Sequence, residues 1–433
     1  MHMPFSVSSF RWDATSSSRI GSWVTWLVVL GAMCGLSVSP AAGQGFPGAP
    51  SEPGVNGRLY PFDTWSPRVG AGVGAGLVVH HAGRRHAQAL FTVAPARHEQ
   101  VATAAWASAN PQQARQYVLI SARGLHTNRD WFYGLGPGSS LDARQSIERS
   151  SARLRIRAGQ QMLGQRVLLQ PHVGLSMHRV DRVPDPSSSA LNAGSRRHLQ
   201  QLASDQTGPL APGYTGLHVG VDVQYDTRPQ GDTPPTRGLL LEAGWTRTVA
   251  LTSSVLQYDR VDLGAYGFVP LGGTHHLVGG LSVAHTVARR RASVPYYQRP
   301  LLGGARVPGW ARHRFVDSSR LIGRLLYRFP LARPLSVLRV DGHLGIHAAS
   351  VYDNVFTDAA LALTFDESPS TGGSSVPLRP AASVGVQLGL SFREVPAVDL
   401  ALGLSPEGVT GVRFTLRQDL QALRPAHHQL RRR

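Results

Sequence analysis

The stretch Tyr214-Thr215-Gly216-Leu217-His218-Val219-Gly220-Val221-Asp222-Val223-Gln224-Tyr225-Asp226 decides the fold. From Leu217 onward, apolar side chains alternate with polar ones or glycine. A strand sends successive side chains to opposite faces, so Leu217, Val219, Val221, Val223 and Tyr225 share one face and His218, Gly220, Asp222, Gln224 and Asp226 the other. One face is suited to hydrocarbon and the other to water. The same period of two recurs along the chain in segments of about ten residues, the length of a tilted strand that crosses a bilayer.

Such segments are expected near residues 70–81, 86–96, 100–108, 115–125, 145–158, 165–178, 214–225, 237–249, 258–269 and 275–288. Five more follow, near 320–329, 336–348, 381–392, 397–404 and 409–420. About fifteen strands are therefore visible, and single-chain bacterial barrels have even strand numbers, so sixteen is the nearest total. Long interruptions at 181–212, 289–319 and 354–379 fit barrels with long loops on one side and short turns on the other. A soluble β-sandwich also alternates, but it does not need this many strands or so many glycines on the polar face. The expected fold is an all-β, transmembrane antiparallel β-barrel over residues 70–420, greasy outside and water-filled within.

Composition alone does not choose this class, because an apolar fraction of 42% over 433 residues is ordinary for a globular chain. The longest apolar run, near 20–38, follows Arg11 and Arg19 and precedes the small residues Ala41, Ala42 and Gly43. This is the layout of a secretory signal, placed at 1–43, with an uncleaved anchor helix as the alternative. Residues 44–69, rich in glycine and proline, are expected to be a flexible exported lead-in, and 421–433 a basic tail. The single cysteine, Cys34, falls within the signal, which excludes a disulfide framework and a cysteine metal site from the exported part.

The formal charge is +18, and all 44 basic residues are arginine. So basic a chain raises nucleic-acid binding as a candidate. The positions of the arginines argue against it: Arg153, Arg155 and Arg157 alternate with Leu154, Ile156 and Ala158, as inward and outward positions of a barrel strand do. No nucleic-acid partner is expected. An arginine-lined lumen favours anions.

Four stretches resemble the BamA/TamA-type outer-membrane assembly barrels, the bacterial surface antigen family. The first is the aromatic, Gly-x-Gly turn of Trp131 to Ser140. The second is the hairpin Tyr225-Asp226-Thr227-Arg228, with Gly238 opening the next strand. The third is Arg306-Val307-Pro308-Gly309-Trp310, which is similar to the loop that folds back into the lumen in this family. The fourth is the set of three closing strands from 381 onward.

The resemblance implies a barrel with its long loop in the lumen, acting in insertion or translocation of polypeptides. It also implies outer-membrane lipid around it and periplasmic or outer-membrane protein partners. Two departures bear on the loop. The family's loop-tip arginine is replaced by Pro308, and the aspartate with which it pairs is replaced by His347. Losing both members of a buried pair is far less costly than losing one, which strands a charge at roughly 3–5 kcal/mol. Trp310 and Arg306 are then expected to hold the loop. The family's periplasmic receptor repeats are also not expected in the roughly 25 residues after the signal, too few for a compact domain.

Motifs of catalysis are not seen: neither a Gly-x-Ser-x-Gly elbow nor a His-Glu-x-x-His helix nor a phosphate loop occurs. Adjacent histidines such as His275 and His276 point to opposite faces of a strand and make poor chelators. The expectation is a non-enzymatic membrane protein with no metal and no cofactor. A passive anion-preferring pore and a structural surface antigen are the competing functions. Trp131, Phe132, Tyr133, Trp245, Tyr258 and Phe329 are expected in interfacial girdles.

Overall fold

The computed structural model describes residues 56–66, 70–81, 85–94, 99–109, 114–182, 187–204, 213–229, 237–251, 256–289, 294–304, 306–335, 338–357, 378–390 and 396–416. The expected signal, most of the lead-in and the basic tail lie outside them. Sixteen strands form one antiparallel sheet in chain order. They are β1 (Asn56–Ser66), β2 (Gly70–His81), β3 (Arg85–Ala94), β4 (Glu99–Ala107), β5 (Gln116–Phe132), β6 (Gln145–Met162), β7 (Val167–Arg182), β8 (Gly213–Asp226), β9 (Gly238–Ala250), β10 (Gln257–Gly272) and β11 (His275–Ala288). They continue as β14 (Ser319–Leu335), β15 (Leu338–Tyr352), β16 (Arg379–Leu390), β17 (Pro396–Ser405) and β18 (Gly408–Leu416). Between β11 and β14, β12 (Leu301–Leu302) and β13 (Phe315–Val316) pair separately within the long loop. The helix α1 (Ala193–Ser204) lies between β7 and β8.

The alternation sorts side chains as a membrane barrel requires. On β6 Ile156 is 41% exposed while the neighbouring Arg157 is 8% exposed. Outward positions include Val173, Leu175, Met177, Val219, Val223, Leu263, Leu281, Leu344 and Ile346, all exposed. Inward positions include Gln170, His172, Ser176, His218, Gln224, Glu242 and Thr248, all buried. Apolar side chains on the outside and polar ones on the inside invert the order of a soluble protein and match a barrel solvated by lipid. The interior is more tightly packed than a water-filled lumen implies, since Arg157, Arg320 and Arg328 are buried.

Several boundaries differ from the sequence expectation. Asn56–Ser66, within the expected lead-in, is β1 and pairs with β2 from Asn56↔His80 to Ser66↔Gly70. Pro61 and Asp63 hide it, because proline interrupts a ladder and is tolerated chiefly on edge strands such as this one. β5, β6 and β7 run to 17, 18 and 16 residues, well past the expected lengths. These exceed the roughly 9–11 residues that cross a bilayer, so their ends stand beyond the hydrocarbon. β1 and β18 approach within 8 Å between Cα atoms, while no hydrogen-bonded ladder joins them among the described residues. The edge strands of the sheet are therefore β1 and β18, and the first strand precedes the one expected at 70–81.

Phe132, Tyr133 and Tyr258 are buried and do not form part of a girdle. A register shift between Thr127 and Asp130 turns the end of β5 inward, and Tyr258 shares the inner face of β10 with Arg260 and Asp262. Trp245 remains exposed, and Phe329 stacks on Tyr327 with ring centroids 5.3 Å apart.

Candidate functional site

The segment from Tyr296 to Ser319 folds onto the polar, inner face of the sheet. Leu302, Val307, Trp310 and Phe315 pack with Ile322 of β14, Ala349 and Val351 of β15 and Ala381 of β16. Those four wall residues sit on the face opposite exposed Leu325 and Ile346, so the loop lies in the lumen. Trp310 is buried and meets Phe315 edge-on at 5.3 Å. A tight turn brings the Trp310 amide to the Val307 carbonyl at 3.4 Å, and the Gly304 amide donates to the Trp310 carbonyl at 2.9 Å.

Glycines allow the tip to touch the wall. A Cβ on Gly309 would lie 2.3 Å from the Leu404 carbonyl oxygen, and one on Gly403 would lie 2.1 Å from the Gly309 nitrogen. Gly309 also has φ +104°, a conformation that favours glycine. Pro308 is part of this contact, since its carbonyl carbon would lie 2.6 Å from the same Cβ on Gly403. His347 is buried on β15 and hydrogen-bonds through Nε2 to the Ser383 hydroxyl at 3.1 Å. Pro308 and Gly309 thus make a backbone contact with β17, while His347 is engaged by Ser383 of β16.

Arg306 donates to the Leu301 carbonyl at 3.4 Å and lines a small polar cavity with Glu242, Asp262, Arg320 and Arg324. Stronger anchors come from residues that the sequence does not connect. Arg314 donates through Nε to Glu407 at 2.8 and 3.0 Å, and its Nη2 lies 2.7 Å from the same carboxylate. It also donates to the hydroxyl and carbonyl of Ser139, each at 2.8 Å. His313 reaches Asp130 at 2.7 Å, where Arg149 approaches the other carboxylate oxygen at 2.6 Å. Burial pushes the His313 imidazole below its ordinary pKa despite the pull of Asp130. Its backbone, at φ +58°, is one that a non-glycine residue holds only where its surroundings over-determine it.

These contacts tie the loop to both sides of the lumen. Glu407 sits in the turn from β17 to β18, while Asp130 and Ser139 belong to β5 and the loop after it. The Gly136 amide donates to the Val316 carbonyl at 2.8 Å, and Phe132 packs on Tyr296 at 4.8 Å. The Leu135 amide donates to Ser195 Oγ in α1 at 2.6 Å. The Trp131 to Ser140 stretch therefore meets residues 314–316 of the lumen loop at the long-loop end.

The Tyr225 to Arg228 hairpin is elsewhere, at the short-turn end. Asp226 pairs with Arg228 through Nε at 2.8 Å and accepts the Arg228 amide at 3.0 Å. The Thr227 amide and hydroxyl close onto Leu239, with the Leu239 amide donating to Thr227 Oγ1 at 2.8 Å. Gly238, at φ +110°, is needed because a Cβ there would lie 2.9 Å from the Arg228 Cα. Tyr225 stands on the ladder between Val167 and Leu241. The motif shapes a turn and is remote from the lumen loop. Among the described residues, no group of three or more His, Cys, Asp or Glu is placed to hold a metal ion.

An inverted, sixteen-stranded sheet with a long loop docked inside defines a barrel of the outer-membrane type. Its fold is similar to the crystal structure of BamA from Haemophilus ducreyi lacking POTRA domains 1–3, at TM-score 0.58 and 12% identity over 83% of this chain and 69% of that one. A structure of CdiB from Acinetobacter baumannii matches at TM-score 0.44 and 8% identity, over 83% of this chain and 58% of that one. No protein-family model matches the sequence, and no curated protein matches it. At these identities the likeness is one of fold.

Proposed function

We propose that the protein assists the insertion or translocation of polypeptides at the outer membrane, without catalysis. The observation that supports this most is the pair of edges at β1 and β18, which no hydrogen-bonded ladder joins among the described residues, next to a lumen loop that is bonded to the last hairpin through Arg314 and Glu407. An unpaired edge offers amide and carbonyl groups to an incoming strand. The glycines of β2 at positions 70, 72, 74 and 76 add little side-chain packing behind that edge. The test is cross-linking from cysteines in β1 and β18 to an unfolded barrel substrate. Cross-links confined to these two strands support the role, and none above the level of β7 controls refutes it.

A second role, passage of anions, is favoured by the arginines on the inner face of β6. Ion selectivity in planar bilayers distinguishes it.

A further inference from the structure

We propose that the outer wall of β9 to β11, at its long-loop end, holds a seat for the phosphate of an anionic lipid headgroup, formed by Arg247 and Arg289 around Asp259. The proposal goes beyond the role in polypeptide insertion and does not depend on it. Odd-numbered side chains on these strands face outward: Leu241 and Trp245 of β9, Leu263 of β10, and Leu281 and Val287 of β11 are all exposed. Arg247 and Asp259 are ladder partners on that outer face, and Asp259 also stands opposite Val287, two residues before Arg289. The Arg289 amide donates to the Gln257 carbonyl at 2.9 Å, which carries the alternation one step past the end of β11. Arg247 and Arg289 thus depart from the inward placement of Arg157.

Both cations have a partner, and it is the same one. Arg247 donates through Nε to one carboxylate oxygen of Asp259 at 3.0 Å, and Arg289 donates through Nε to the other. Two guanidinium groups against one carboxylate leave one positive charge in excess. The Asp259 side chain is 13% exposed while those of Arg247 and Arg289 are 38% and 49% exposed, so the excess charge faces outward. Its depth is that of headgroups. Arg247 lies three residues from the end of β9 and Asp259 two from the start of β10, where a charge on the lipid face costs far less than at mid-membrane. Arg247 also sits 5.4 Å from the ring centre of exposed Trp245, and tryptophan belongs at the membrane–water interface. Toward the middle of the wall, exposed Val223, Leu241, Leu263 and Leu281 offer an apolar surface to acyl chains. Guanidinium forks match phosphate oxygens, and the anion that carries acyl chains onto that surface is a lipid phosphate.

The test places a fluorophore beside the seat, through Val287→Cys in a Cys34→Ser background of the full chain. The protein is reconstituted in vesicles of phosphatidylcholine and phosphatidylglycerol in equal parts, with brominated chains on one lipid or the other. Quenching by brominated phosphatidylglycerol should report about fivefold enrichment over phosphatidylcholine at 287, the factor that one arginine near an anionic lipid surface supplies. A fluorophore on Leu175→Cys, exposed on the outer face of β7, should report none. Arg247→Gln and Arg289→Gln should each abolish the enrichment, and Asp259→Asn should raise it, because the excess charge then doubles. Each variant is first checked for heat-modifiable gel mobility, and either arginine variant is sufficient if the other fails to fold. Equal quenching by the two lipids at 287 in the parent, the same preference at 175, or a preference kept by the folded arginine variants overturns the proposal. Loss of the preference when inorganic phosphate replaces chloride at equal ionic strength also overturns it, since the ligand would then be a soluble anion.

Discussion

On β14 to β16 the inward side chains under the lumen loop are Ile322, Ala349, Val351 and Ala381, whereas on β6 to β8 the inward positions carry Arg153, Arg155, His172, Ser176 and His218. The backbone alternates identically in both regions. What differs is the covering: the loop buries the first wall, so apolar groups are stable there, and on the second wall His172, Ser176 and His218 take part in hydrogen bonds across strands. An inward face in such a barrel is thus defined by what lies over it. Polarity alone does not identify it.

The sharpest way to break this comparison is to remove the covering. Trp310→Ala deletes a buried indole that packs against Phe315 and the wall, at a cost of about 3–5 kcal/mol. Limited proteolysis should then cut within residues 303–314 of the variant and leave the same residues of the parent intact. Gly403→Val should expel the loop as well, because a Cβ there meets the backbone of Pro308 and Gly309. Next in size is the Arg314 anchor. Glu407→Gln strands a buried guanidinium and should lower stability by roughly 3 kcal/mol, while Arg314→Leu combined with Glu407→Leu should cost less than the sum of the two single changes. A double-mutant cycle on chemical unfolding in detergent measures this.

On the polar wall the expected effects are smaller. Thr248→Val removes one of the two hydrogen bonds of His218 and should cost about 1 kcal/mol with no change in loop protection. The smallest effect is that of pH at the junction of the two regions. The folded pKa of His313 is depressed by burial, so its contribution is present above the unfolded value near 6.5 and is lost as pH falls below it. Asp130, Arg149 and Arg312 surround it. Loop protection should therefore weaken modestly between pH 7.5 and 5.5, and His313→Gln should flatten that dependence.

The sequence made the sheet legible because a period of two survives wherever lipid demands it, as from Leu217 to Tyr225. It concealed β1, where Pro61 and Asp63 break the apolar face, and the inward turn of Phe132, which depends on a register shift. The loop was legible through its glycines and Trp310. Its anchors were not, because Arg314 and Glu407 lie 93 residues apart and His313 and Asp130 meet only once the barrel is folded. No local spacing marks such pairs.

Successive positions on β6 provide the most direct measurement. Single cysteines at 153, 154, 155 and 156, in a Cys34→Ser background, are reconstituted in bilayers and exposed to a water-soluble, membrane-impermeant thiol reagent. Labelling at 153 and 155 with protection at 154 and 156, and quenching by lipid-borne quenchers only for fluorophores at 154 and 156, is the predicted result. Equal labelling at all four positions, or the opposite alternation, would contradict a barrel with its arginines inward and its aliphatic side chains in lipid.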